Sequence, residues 1–155
     1  MIAVAPLLDL WPGQLVRTTH FDWDMSRLAD RHYSRRTVGA RQFLYSGRKL
    51  VLRDAEGLVL FAWMFPDNTM RMDDQTGYNC AIFRNESSRR SSEIILEAEQ
   101  HAIDYWGPDR MYTYVDPSKV RSSNPGYCYL MAGWHPHGYS KGGKRLLVKY
   151  DGCES

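Results

Sequence analysis

The sequence predicts an α/β protein with a mixed central sheet, helices on its faces and a β-hairpin closing the chain. Three observations carry that expectation. Tyr78 to Phe83 is an apolar strand, followed by a polar run, a helix opening at Glu93 and a second apolar strand from Met111 to Val115. Upstream, Lys49–Arg53 and Leu58–Phe65 flank the turn Asp54-Ala55-Glu56-Gly57, which reads as a hairpin. Downstream, Trp134–Ser140 and Arg145–Tyr150 flank Gly142-Gly143 as a second hairpin. Helices interleaved with strands give α/β rather than segregated α+β.

Taken in order, residues 1–14 form an N-terminal arm without the basic stretch of a signal peptide. Residues 22–31 space Met25, Leu28 and Ala29 at three and four, predicting a short amphipathic helix. A polar loop starting at His32 follows it, and Pro66 to Gly77 makes another. The strand at Tyr78–Phe83 lacks clean alternation, as expected where both sheet faces are covered. Between Glu93 and Trp106, Ile95, Ala98, Ala102 and Tyr105 share one stripe, with Glu97, Gln100 and Asp104 outside it. Gly107-Pro108 stops that helix. Pro125 suits the first turn of a short helix through Met131, ended by Gly133. Residues 151–155 form a frayed tail. With no linker or repeat, residues 1–155 make a single domain.

Bulk properties exclude several classes. No apolar run nears the ~20 residues of a membrane helix, which points to the cytoplasm. Cys80, Cys128 and Cys153 are odd in number and unpaired in spacing, against a disulfide framework or zinc knuckle; Cys80 reads as a small buried hydrophobe. A net charge of +2 does not by itself prove a nucleic-acid partner. Local clusters do more: Arg35 and Arg36, then Arg84, Arg89 and Arg90, then Lys119 and Arg121 gather positive charge that can face DNA phosphates.

Both strand exits carry polar and turn residues, and in open α/β sheets ligands settle outside such carboxyl ends. Arg84 offers a planar fork for a carboxylate, phosphate or base edge, or pairs with Glu86. Asp116 can accept a proton from an amine, or serve only as an Asp-Pro turn former. His32 suits a general base and Tyr33 a donor or stacking platform, unless His32 merely caps its helix. Ser87, Ser88, Arg89, Arg90, Ser91 and Ser92 lead into a helix N-terminus, where hydroxyls, guanidinia and N–H groups bind anions. Asn85 and Asn124 flank these elements as binding candidates. His135 and His137 sit at alternate strand positions, a weak metal pair without a third ligand.

The layout is similar to the GNAT N-acetyltransferase fold. Over roughly residues 31–140 the chain also resembles the Mom family of phage DNA-modification proteins, which are proposed to share that fold. The likeness rests on His32-Tyr33-Ser34 with Gly39, Arg84-Asn85-Glu86 followed by Ser91-Ser92-Glu93, Tyr114-Val115-Asp116, and Gly126 with Tyr129 and Gly133-Trp134. The resemblance implies a transferase that places a carbamoyl-type group on N6 of adenine in DNA, shielding phage DNA from restriction. Its site would comprise His32, Tyr33, Arg84, Ser91 or Ser92, Asp116 and Tyr129. In many GNAT enzymes a tyrosine placed like Tyr129 is thought to protonate the leaving thiolate. Ordinary GNAT enzymes cradle the coenzyme A pyrophosphate with a glycine-rich loop, whereas here no glycine lies between Arg84 and Trp106. The donor is therefore acetyl-CoA or another acyl or carbamoyl compound. An acyl-CoA N-acyltransferase on a small amine or peptide is the competing reading, and an inactive binding module a third. The expectation common to the enzymatic readings is that Arg84 and Asp116 open onto one cleft lined by His32 and Tyr129, the oligomeric state staying open with a homodimer among the options.

Overall fold

A computed structural model describes residues 14–32, 44, 47–65, 75–119 and 124–151. The arm before residue 14, Tyr33, Arg35, Arg36, Arg121 and the tail beyond residue 151 lie outside the described residues. The elements run β1 (Val16–Thr18), α1 (Trp23–Asp30), β2 (Arg48–Arg53), β3 (Val59–Phe65), β4 (Tyr78–Asn85), α2 (Ser91–Trp106), β5 (Met111–Val115), α3 (Tyr127–Met131), β6 (His135–Tyr139) and β7 (Arg145–Lys149). The seven strands of the described residues share one sheet, in the order β1-β2-β3-β4-β5-β7-β6. The expected hairpins, helices and mixed sheet are present, and β1 is an added edge strand. None of the described helices is long and apolar enough to cross a membrane.

The sheet is covered on both faces, which β2 and β3 show residue by residue. Leu50, Leu52, Val59, Phe61 and Trp63 pack with Ile94, Ile95, Ala98 and Ala102 of α2. Val51, Leu60, Ala62 and Met64 pack with Met25, Leu28 and Ala29 of α1. Successive strand side chains point to opposite faces, so the unbroken apolar run of β3 serves two cores at once.

Strand β4 alternates until a bulge intervenes. Ala62 pairs with Ile82 but Trp63 pairs with Cys80, leaving Ala81 as an extra residue. One additional residue moves everything beyond it to the other face. Tyr78 and Cys80 accordingly join the α2-side core, while Ile82 joins the α1-side core.

Helix α2 corrects one expected stripe. Ile94, Ile95, Ala98, Glu99 and Ala102 are buried, whereas Tyr105 is exposed, its ring 4.3 Å beneath the Arg17 guanidinium. The buried Glu99 carboxylate accepts from Trp134 Nε1 at 2.8 Å, Lys149 Nζ at 2.8 Å and the Tyr150 hydroxyl at 2.9 Å. Lys149 Nζ also donates to Ala132 O at 2.7 Å. This buried charge pair is thus fully hydrogen-bonded, the condition under which its desolvation is tolerated, and it fastens α2 to β7 and to the end of α3. Pro125 lies before α3 rather than inside it. The turn residue is Gly126, with φ +82°, and an added Cβ there would stand 2.4 Å from Leu147 Cδ1. Only glycine lets α3 start this close to β7.

Candidate active site

Among the described residues, strands β4 and β5 are the one parallel pair, and their ladder is short. Tyr78 faces Met111 and Asn79 faces Tyr112, after which the strands part. Where backbone pairing stops, a side chain takes over: Thr113 Oγ1 donates to Cys80 O at 2.9 Å in a buried setting. Beyond it the strands enclose a cavity of about 150 Å³, lined by His32, Cys80, Ala81, Phe83, Thr113, Tyr114, Val115, Gly126, Cys128 and Tyr129. A second cavity of about 450 Å³ lies between the start of α2 and α3, lined by Arg90, Ser91, Ser92, Tyr127, Cys128 and Met131. Cys128 lines both, so the two spaces are neighbours.

Tyr129 forms the floor of the fork. Its hydroxyl stands 3.2 Å from Cys80 Sγ, and its ring packs edge-on against Phe83 and Trp134. Burial holds the Tyr129 phenol well above its ordinary range, with the neighbouring cysteines adding to the effect. Burial likewise pushes the Cys80 thiol up to about 12 and raises Cys128. All three groups stay protonated at neutral pH. They are proton donors rather than nucleophiles, because the reactive form of a cysteine is the thiolate.

His32 borders the same cavity from the end of α1. Desolvation, reinforced by the positive charge of Arg84, lowers its imidazole to about 4. It is neutral at physiological pH, the form in which a base accepts a proton, but only weakly basic.

Arg84 and Asp116 do not line either cavity. Arg84 Nε donates to Glu86 at 2.9 Å, and its NH1 group donates to Arg31 O at 3.0 Å. Glu86 also accepts two hydrogen bonds from the Arg31 guanidinium, at 2.7 and 3.0 Å, and Arg31 first and Arg84 second hold its carboxyl below the usual range. The cluster therefore ties the end of α1 to β4. Asp116 Oδ1 accepts from Ser118 N at 3.0 Å and Ser118 Oγ at 2.6 Å, the signature of an Asx turn. Those bonds keep the Asp116 carboxyl ionised at lower pH than usual. Both residues sit at the expected strand tips, but their side chains serve local structure there. Short polar residues after a strand satisfy loop backbone as readily as they bind a ligand, and the sequence does not separate the two.

The loop between β4 and α2 is organised from within. Asn85 Nδ2 donates to Arg89 O and Ser91 Oγ, and Asn85 Oδ1 accepts from the N–H and hydroxyl of Ser87. Arg89 N donates to Ser87 Oγ, and the Arg89 side chain pairs with Glu97 at 2.9 Å. Ser88 is exposed. No residue of the loop has positive φ, so it dispenses with glycine by using conformations any L-residue adopts. It delivers Arg90, Ser91 and Ser92 to the larger cavity at the N-terminus of a 16-residue helix. First-turn N–H groups there lack intrahelical acceptors, and with the helix dipole they favour an anion.

The remaining candidates lie apart. Asn124 Oδ1 accepts from Arg145 at 2.9 Å and braces the start of α3 against β7. Lys119 is exposed beside the Asp116 turn. His135 and His137 are exposed on edge strand β6, with His137 Nε2 3.2 Å from Asp151, and the described residues hold no group of three metal ligands. Sequence reasoning missed Thr113, Phe83 and the role of Cys80. Thr113 stands out only as the lone hydroxyl-bearing aliphatic in Met-Tyr-Thr-Tyr-Val, and nothing in the residues around Cys80 announces the bulge beside it.

With this geometry in hand, one comparison is decisive for the fold. The crystal structure of aminoglycoside acetyltransferase AAC(6')-Ib with coenzyme A superposes with a TM-score of 0.55 over 88% of this chain and 93% of the other, at 14% identity. The chain has a GNAT-like fold. No protein-family model matches it, and no curated protein matches its sequence. At that identity the superposition speaks for the architecture, and acceptor chemistry must be argued from the site.

Proposed function

We propose that the chain is an N-acyltransferase that takes an acyl group from a coenzyme A thioester to an amine. The observation that carries this reading is the fork between β4 and β5, with a protonated, buried Tyr129 hydroxyl on its floor. Backbone groups of β4 and β5 that lose their ladder in the fork can hydrogen-bond an extended amide-bearing arm as an added strand would. The 450 Å³ cavity with Arg90, Ser91 and Ser92 at a helix N-terminus suits the phosphate-bearing end of such a donor. That the structural neighbour was solved with coenzyme A supports the same donor. In the reaction a C–N bond forms, the C–S bond breaks, and Tyr129 supplies a proton to the departing sulfur.

A second reading concerns the acceptor. His32 is neutral and the cavity walls among the described residues carry no carboxylate, so the site favours an amine that is uncharged in water over an alkylammonium. Exocyclic amines of nucleobases are of that kind, and Arg31, Arg84, Lys119 and Lys144 place positive charge nearby for phosphates. This favours modification of DNA adenine, with the base extruded from its stack.

Calorimetric titration with acetyl-CoA tests the donor, and nucleoside mass spectrometry of DNA from expressing cells tests the acceptor. Saturable binding that Arg90→Ala weakens is the expected result. No binding of acetyl-CoA would overturn the first reading, and unmodified deoxyadenosine would overturn the second. Binding without turnover on any amine would indicate an inactive binding module.

A further inference from the structure

We propose that Cys80 is a positioning residue for Tyr129: its S–H donates to the phenolic oxygen and thereby commits the Tyr129 proton to the cavity. The inference rests on the acyl-transfer reading above and assigns a task to a buried thiol that this reading leaves idle.

It follows from counting protons at the base of the fork. Thr113 has one hydroxyl proton, and it is spent on Cys80 O at 2.9 Å. Toward its other neighbours Thr113 can only accept. Cys80 Sγ and Tyr129 Oη are 3.2 Å apart, and either can donate to the other. If Tyr129 donates, its proton is held by a thiol sulfur, a weak acceptor. If Cys80 donates, the Tyr129 proton is left to the Thr113 hydroxyl oxygen, a neutral acceptor beside the phenol, or to whatever enters the cavity. A thiolate arriving there decides between the two, since a hydrogen bond to a charged acceptor is about twice as strong as a neutral one. The chain then runs S–H to O–H to S⁻, each bond polarising the next.

The surroundings fix this arrangement. Cys80 is 3% exposed and Tyr129 6% exposed, so water does not compete for either group. The bulge at Ala81 lets Cys80 stay on the α2 face, facing Tyr129, while Ile82 turns to the other core and Phe83 returns to the α2 side. Gly126 seats α3 against Leu147, and the Tyr129 N–H bonds to Gly126 O at 2.9 Å, setting the height of the ring. Since Cys80 keeps its proton up to about 12, the S–H donor persists across the working pH range.

The step balances. As the thioester collapses, the C–S bond breaks and the C–N bond forms. The Tyr129 O–H bond breaks as the sulfur gains its proton, and the proton shed by the attacking nitrogen passes to the phenolate within the cavity. Cys80 keeps its proton throughout, so it stabilises the transient phenolate without reacting.

The test uses the full chain with ring-¹³C-labelled tyrosine, the Tyr129 resonance being assigned with Tyr129→Phe, and coenzyme A as the added probe. In the wild type the Tyr129 Cζ signal should move on addition of coenzyme A. Cys80→Ala should reduce that displacement, and Cys80→Ser, which restores a donor of similar size, should recover it. In turnover of acetyl-CoA with hydroxylamine, Cys80→Ala should lower kcat roughly fivefold, the worth of one neutral hydrogen bond, at unchanged KM for acetyl-CoA, with Cys80→Ser near wild type. Equal displacement in wild type and Cys80→Ala would overturn the positioning role while leaving the donor site intact. No movement of Tyr129 in the wild type would instead overturn the placement of the thioester in the fork.

Discussion

Strands β4 and β5 meet at one end and part at the other, and the two ends are built on opposite principles. At the joined end the chain is packed to contact. Tyr78 N donates to Arg110 O at 2.8 Å, the Tyr78 hydroxyl to Gly107 O at 2.7 Å, and Phe65, Tyr78 and Trp106 form an aromatic plug. At the parted end two ladder residues give way to one side-chain bond from Thr113, and the space left holds a phenol, a thiol and an imidazole. The contrast teaches that a sheet makes a site by withholding its own hydrogen bonds over a few residues, provided that its neighbour region is sealed.

The comparison can be broken most severely at the joined end. Gly77 has φ +94°, and an added Cβ would lie 1.9 Å from Arg110 O. Gly77→Ala should cost more than about 3 kcal/mol in urea denaturation, since backbone must move and the dihedral is strained. A loss under 1 kcal/mol would mean that the junction is plastic.

The next test is pH. His32 has its pKa lowered on folding, from 6.5 to about 4, so the unfolded chain binds the proton more tightly. Its contribution is complete above pH 6.5 and declines as pH falls toward 4, amounting to at most roughly 3 kcal/mol. Stability measured from pH 7 to 4 should fall with that slope in the wild type, and His32→Gln should flatten the curve. Parallel curves would place His32 in water rather than against the fork.

At the parted end, Thr113→Val removes one buried donor and leaves Cys80 O without its partner. A loss of about 1–2 kcal/mol is expected, with weaker acetyl-CoA binding by calorimetry because the fork edge is no longer fixed. The smallest effect belongs to Asp116→Ala. It removes an exposed turn bond, so stability should stay almost unchanged and acyl transfer should persist. Abolished transfer would return Asp116 to the site.

That last pair shows what the sequence made legible. Periodicity and turn residues revealed the strands other than β1, both hairpins and α2, because burial on one stripe or two faces leaves a pattern in the residues. The likeness to the GNAT layout, rather than periodicity, is what implied that Tyr129 and His32 share one cleft. The residues alone left Arg84 and Asp116 open between a ligand and local structure, since a polar residue at a strand tip looks the same whether it binds Glu86, Ser118 or a ligand. Thr113 and Cys80 escaped notice for the converse reason. Their roles come from a bulge and from a ladder that stops, and both are properties of pairing between strands distant in the chain. Glu99 was equally hidden: only the packed structure shows Lys149, Trp134 and Tyr150 converging on it.

A crystal structure grown with coenzyme A tests the central claim most directly. The fork account predicts the pantetheine arm between β4 and β5, its sulfur within hydrogen-bonding reach of the Tyr129 hydroxyl, and the phosphates beside Arg90, Ser91 and Ser92. Coenzyme A bound on another face, with the fork empty of it, would contradict the account.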